Sequence, residues 1–285
     1  MSERTTEARK ARAAAWFAEL RDRLCAAFEA IEADYRGPGP GAAQPGRFVR
    51  EPWRREGGGG GVMALMRGRV FEKVGVNVSA VWGEFSEAFR QQIPGAAEDP
   101  RFWAGGLSLV AHMRSPLVPA AHMNTRHIVT TKAWFGGGAD LNPSHPFEAD
   151  TADFHAALKA ACDAYNPRCH AEYKRWADDY FFIPHRGCAR GVGGIFFDDL
   201  DSGDWEHDFS FVQGVGLGFL DVIPRLVRRR MDAPWTEAER ARQLEHRGRY
   251  AEFNLVYDRG TKFGLMTGGN PEAVLMSLPP IATWP

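Results

Sequence analysis

The sequence is short of cysteine, has no surplus of either charge, and lacks the short catalytic signatures of the commonest enzyme classes. Its four cysteines (25, 162, 169 and 188) form no CxxC pair, and nothing suggests a disulfide framework. Thirty-five basic residues stand against thirty-six acidic ones, which excludes global steering of nucleic acid; an anionic ligand would have to be held by local arginines. There is no GxSxG elbow, no HExxH and no Gly-Lys-Ser/Thr after the five glycines at 57–61. Gly191–Gly194 lead into a β-prone run rather than a helix, which argues against a dinucleotide fold. No apolar run reads as long enough to span a bilayer and no apolar signal region stands near the start, so a cytoplasmic protein without a membrane segment is expected.

What is present is enough apolar sequence, 44%, to build a substantial core. Residues 5–33 place Trp16, Leu20, Leu24 and Phe28 at helical spacing, a docking face. A Pro/Gly-rich stretch from Gly37 to the glycine run then reads as a mobile loop. Residues 62–85 alternate as strands, with Val74, Val76, Val78 and Ala80 on one face. From 147 to 179 the spacing is helical with a break near Asn166-Pro167, and a second helix from His207 to Met231 is expected to be interrupted at Pro224. Thr236 with Glu239 three residues on signals a capped helix up to Arg247. The segment 249–270 reads as a hairpin with Asp258 and Arg259 at its tip. No βαβ alternation or domain boundary emerges. The expectation is one α+β domain over 1–285: a mainly antiparallel sheet flanked by helices on both faces.

The stretch 108–140 carries the chemistry. On strands, Ser108 and His112 share a face, and so do His122, Asn124 and Arg126. Paired in register, they would gather a hydroxyl, two imidazoles, an amide and a guanidinium, a mixture that suits a site better than a core. The run then passes through three glycines to Asp140. Other candidates are His155, His185, Arg190, Arg259 and Asp258. The arginines suit carboxylates, and an Asp could accept an N–H proton. The adjacent Asp198 and Asp199 cannot both face one way on a strand, so at most one points at any given pocket, and the commoner role of such a pair is a turn or helix cap. Four histidines could hold a metal, but their spacing matches no short metal motif.

Several long motifs together resemble the oxygen-dependent coproporphyrinogen III oxidases: FEKVGVNVS (71–79), HMNTRH (122–127), WFGGGADLNP (134–143), GVGGIFFDDL (191–200), YAEFNLVYDRGTKFGL (250–265) and LMSLPP (275–280). The resemblance implies a flat antiparallel sheet covered by helices, in a homodimer whose contacts lie in 250–285. It implies conversion of two propionates of coproporphyrinogen III to vinyls, with O2 as co-substrate and no organic cofactor. It makes His122 the proton donor and Ser108, Asn124, Thr125, Arg126, Gly268 and Gly269 substrate contacts. Asn270 follows them where many relatives carry an arginine. Asp140, Asp258 and Arg259 match residues that hold pyrrole nitrogens and propionates. His112, His122, His155 and His185 match positions proposed for a divalent metal in bacterial members, while other members work without one. The chain also stops at Trp284-Pro285, ahead of relatives with a longer tail. Two further readings remain: a tetrapyrrole carrier without turnover, and a metal-dependent hydrolase built on the four histidines.

Overall fold

The computed structural model describes residues 3–38, 44–266 and 268–284. Seven strands form one sheet in which every neighbouring pair is antiparallel: β1 (Val49–Arg54), β2 (Gly59–Met66), β3 (Phe71–Glu84), β4 (Arg101–Met113), β5 (Ala120–Val129), β6 (Ala133–Asn142) and β9 (Gly194–Leu200). A two-stranded ribbon, β7 (Phe182–Ile183) and β8 (Cys188–Ala189), stands apart from it. The helices are α1 (Glu3–Asp34), the single turn α2 (Glu87–Arg90), α3 (Glu148–Tyr165), α4 (Cys169–Tyr180), α5 (Trp205–Arg230), α6 (Glu237–Val256), α7 (Arg259–Met266) and α8 (Pro271–Leu275).

Strand alternation divides the sheet into two unlike faces. On one, Val74, Val76, Leu109, Met123 and Ala139 follow one another across β3 to β6 and are buried under α1 and α5. Leu20, Leu24, Phe28 and Ile31, the apolar stripe of α1, meet them there. The other face carries Asn77, Ser108, His122, Asn124 and Arg126, and it is partly covered by α6 to α8. An α+β sheet with helices on both faces is therefore what forms.

Three local expectations fail. The segment 249–270 is not a hairpin: α6 runs on to Val256 and α7 begins at Arg259. Gln243, Arg247, Tyr250, Ala251 and Asn254 are all buried, a three-and-four spacing that belongs to a helix, so the alternation in AEFNLVY was coincidental. The glycine run is not a mobile loop; Gly59 to Gly61 pair with Val81 to Ser79, and only 39–43 of that stretch lie outside the described residues. Pro224 sits inside α5 without ending it. Helix α5 is long and apolar enough, by length and composition alone, to cross a membrane. Here it is the core helix, burying Phe211, Val215, Phe219 and Val222 against the sheet and α1. The break between α3 and α4 and the Thr236–Glu239 capping box form as expected.

The glycines of β6 and β9 exist for close approach. A Cβ on Gly194 would stand 1.9 Å from the Ala139 carbonyl oxygen, a backbone atom that cannot step aside. We expect Gly194→Ala to open the β6–β9 pairing and cost about 1–3 kcal/mol. In contrast, Gly214→Ala, whose Cβ would meet only an ordinary contact at 3.7 Å inside α5, should be neutral or stabilising. Thermal melts of the two variants check this.

Candidate active site

Between the polar face of the sheet and α6 to α8 lies a cleft of about 750 Å³, within the range of small-molecule sites. Ser108 pairs with Asn124 and Val110 with His122 across β4 and β5, so the expected patch forms in register except for His112, which does not line the cleft. Ser108, His122, Asn124 and Arg126 line the cleft, as do Asp258, Arg259, Gly269 and Asn270. Thr125 belongs to the same wall, but alternation buries its side chain on the helix-covered side, leaving its backbone for the cleft. Asn270 is occupied as the N-cap of α8, its Oδ1 accepting from the Glu272 N–H at 3.0 Å.

His122 and Asp140 are direct cross-strand partners on β5 and β6, with Nδ1 of the ring 2.7 Å from Asp140 Oδ1. Asp140 is 1% exposed and holds three further contacts: a two-point ion pair with Arg190 (2.7 and 3.2 Å) and a bond from Asn142 Nδ2 at 2.9 Å. Arg190, 3% exposed, donates also to Asn254 Oδ1 at 2.7 Å. Its guanidinium carbon sits 4.3 Å from the Phe181 ring centre and 4.6 Å from those of Tyr250 and Phe253. Burial alone pushes the Asp140 carboxyl upward, but the Arg190 charge and the His122 contact outweigh it and hold the group down at about 2. Because both acceptor oxygens of Asp140 face donors, the arrangement selects the tautomer with the proton on Nδ1. Nε2, with Asn124 Nδ2 at 3.4 Å, is then the ring nitrogen without a proton.

Asp258 stands just before α7 and caps it. Its Oδ2 accepts from the Thr261 N–H (2.7 Å) and hydroxyl (2.8 Å), and its Oδ1 from the Tyr180 hydroxyl (2.8 Å). Burial raises the pKa of Asp258, yet these bonds bring the net shift below the ordinary carboxylate range. The same anion, together with burial, pushes the Tyr180 phenol up to about 12. A carboxylate has about four lone-pair positions, and three are filled here, so one remains for a donor in the cleft.

Asp198 takes the less common of the two roles read from the sequence. It is not a cap; that role before α5 falls to Asp204. Instead Asp198 lines the cleft, with Arg126 Nη2 at 2.8 Å and Arg259 Nη2 at 4.0 Å from the same oxygen. The neighbouring Asp199 turns away at φ 53°, so only one of the pair faces the cleft. Two guanidiniums thus share one carboxylate and leave a net positive site for an anion. Tyr180, Arg190 and Asp198 owe their places to tertiary contact, and the only early sign of Asp198 was the glycine-led strand that carries it.

The four histidines do not assemble. His112 is wholly buried with Nε2 on the Ser277 carbonyl (2.9 Å), and burial lowers its pKa to about 3. His155 Nε2 bonds the Val192 carbonyl at 3.0 Å from α3, and His185 contacts the Tyr257 hydroxyl and Glu252, both at 2.7 Å. Among the described residues no three His, Cys, Asp or Glu side chains gather as a metal set. A metal on these histidines does not fit, and no chemical step is routed through one.

An antiparallel sheet bearing a cleft with paired arginines, a His–Asp couple and a half-buried carboxylate defines an enzyme site for a ligand rich in carboxylates and N–H donors. Comparison with known proteins makes this particular. A profile of the family described as coproporphyrinogen III oxidase matches residues 12–285. Proteins named oxygen-dependent coproporphyrinogen-III oxidase are similar throughout: that of Rickettsia bellii (strain RML369-C) is 58% identical over 270 residues, covering 94% of this chain and 96% of its own. That of Rickettsia akari (strain Hartford) is 57% identical over 265 residues, covering 93% and 94%. The chain belongs to the coproporphyrinogen III oxidase family.

Stability should report the Asp140–Arg190 couple directly. A carboxyl whose folded pKa is depressed stabilises above its unfolded value of 3.8, and the contribution is lost as pH falls from 3.8 towards about 2. Asp140→Asn leaves Arg190 buried without a counter-charge, which should cost about 3–5 kcal/mol at pH 7. In urea titrations the gap to the unmodified protein should narrow as pH falls through that window.

Proposed function

We propose that this chain catalyses the O2-dependent oxidative decarboxylation of two propionates of coproporphyrinogen III to vinyls, giving protoporphyrinogen IX in haem biosynthesis. For each propionate, one CO2 leaves, two electrons and two protons pass to O2 as hydrogen peroxide, and a carbon–carbon double bond forms. The observation that carries the reading is the meeting of Arg126 and Arg259, the His122–Asp140 couple and Asp258 in one cleft. Arg126 and Arg259 bind propionate carboxylates, and Ser108 and Asn124 orient the macrocycle between them. Asp258 accepts a pyrrole N–H. Its negative charge, already fixed by Thr261 and Tyr180, stabilises the positive charge that builds on the pyrrole as electrons leave for O2. His122 Nε2 then holds or releases the proton that this transfer requires, with Asp140 supporting the charged ring. No organic cofactor enters this scheme, because the electron-rich pyrrole itself meets O2.

The assembly proposed is a cytoplasmic homodimer with contacts in 250–285. Exposed Leu255, Val256, Leu265, Met266, Ile281 and Trp284 support that surface, since six large apolar side chains in one segment are costly to leave in water.

The test is anaerobic mixing of metal-stripped protein with coproporphyrinogen III, followed by air. Vinyl-bearing product is expected only after O2 is admitted, and Asp258→Asn should lower kcat about 10²–10³-fold. Binding without product in the unmodified chain would favour a tetrapyrrole carrier. Product only after a divalent ion is restored would return the metal.

A further inference from the structure

Arg126, Gly136 and Asp198 follow one another across three strands. Arg126 on β5 is the direct partner of Gly136 on β6, and Asp198 comes next on β9. Neighbouring strands stand about 5 Å apart, so the arginine has to cross a whole strand to meet that carboxylate. Gly136 lets it cross: a Cβ there would stand 2.8 Å from both Nε and Nη2 of Arg126 and 2.5 Å from Asp198 Oδ1.

Strand β9 is shaped for the same meeting. Phe135 pairs with Leu200 and Gly137 with Phe197, so Gly136 alone faces both Asp198 and Asp199, a bulge with one extra residue on β9. Asp199 absorbs the strain of that bulge at φ 53°, and its N–H donates to Asp198 Oδ1 at 3.2 Å. Asp198 is thereby turned into the cleft while Asp199 stays exposed outside it.

The corner so formed holds two cations around one anion, since Nη2 of Arg126 and of Arg259 lie 2.8 and 4.0 Å from the same Asp198 oxygen. The Arg259 guanidinium is itself placed over two rings, 5.2 Å from the centre of Tyr180 and 5.6 Å from that of Phe196. The Asp198 side chain is 19% exposed, against 29% for Arg126 and 61% for Arg259, so the carboxylate is the most shielded of the three. Lys262 and Asp258, the next charges of this wall, offset each other. The corner therefore carries a single positive charge, and one incoming carboxylate neutralises it. A second carboxylate on the same ring would lie beside Asp198 with no cation left for it, and like charges repel strongly where water is partly excluded.

We propose that Asp198 is a specificity residue: its charge limits the Arg126–Arg259 corner to a pyrrole ring that carries one carboxylate, and it rejects rings that carry two. This rests on the tetrapyrrole substrate proposed above.

The test uses two porphyrins that differ only in this respect: coproporphyrin III has a methyl beside each propionate, and uroporphyrin III has an acetate there. Both are titrated by fluorescence into the unmodified chain, Asp198→Asn, Asp198→Ser and Asp198→Glu. The unmodified chain should prefer coproporphyrin III. In Asp198→Asn and Asp198→Ser that preference, the ratio of the two Kd values, should fall about tenfold because uroporphyrin III binds more tightly once the anion is gone. Asp198→Glu should keep the preference, and high salt should narrow the difference between the charged and neutral variants. A preference within about twofold of the unmodified chain's in both neutral variants, or an equal weakening of both ligands, would overturn the proposal. If the unmodified chain binds coproporphyrin III but forms no vinyl product, the catalytic reading alone fails, and the ratio still decides the role of Asp198. No binding of coproporphyrin III to the unmodified chain would overturn the substrate reading and this proposal together.

Discussion

The buried ion pair between Asp140 and Arg190 is the constraint on which the site depends. It joins β6 to the segment leading into β9 and, through Asn254, to α6, so three parts of the chain meet at one charge pair. Removing two charges from water is expensive, and a hydrophobic pair of similar volume would serve stability as well or better. What an apolar pair could not do is orient an imidazole. Asp140 fixes the ring of His122, and three aromatic rings around Arg190 fix Asp140 in turn.

The rest of the fold supplies two unlike faces for that arrangement. Under α1 and α5 the sheet is a dry, close-packed core that holds register, and register is what lines Ser108, Asn124, His122 and Asp140 across neighbouring strands. Gly138 and Gly194 let β6 and β9 approach closely, and Gly136 leaves the room in which Asp198 meets Arg126. The same economy appears at Asp258, which caps α7 with one oxygen and, through Tyr180, keeps the other fixed at the cleft. Helix start and half-buried anion are one residue, so the charge is in place before any ligand arrives.

Much of this was legible in the sequence because strand periodicity is local. The alternation around 108–126 was enough to put Ser108, His122, Asn124 and Arg126 on one face, and the pairing of β4 with β5 completed the patch. The failures were of another kind. AEFNLVY satisfies both a two-residue and a helical period, and only the burial of Tyr250 against His112 and of Phe253 against Arg190 decides for the helix. The four histidines looked alike as residue types, yet each is held by a different carbonyl, hydroxyl or carboxylate from elsewhere in the chain. Asp198 and Tyr180 act through partners far away in the chain, Arg126 and Asp258, which spacing cannot reveal.

The central claim is that Asp140 keeps a proton on Nδ1 of His122 and so leaves Nε2 to hold or release the proton that the proposed reaction requires. Nitrogen-15 NMR of histidine-labelled protein, with His122→Gln to assign the ring, measures this directly. The account predicts that Nδ1 of His122 carries its proton in a hydrogen bond to Asp140, and that Asp140→Asn weakens that signature. A bare Nδ1 with the proton on Nε2 in the unmodified protein would contradict it.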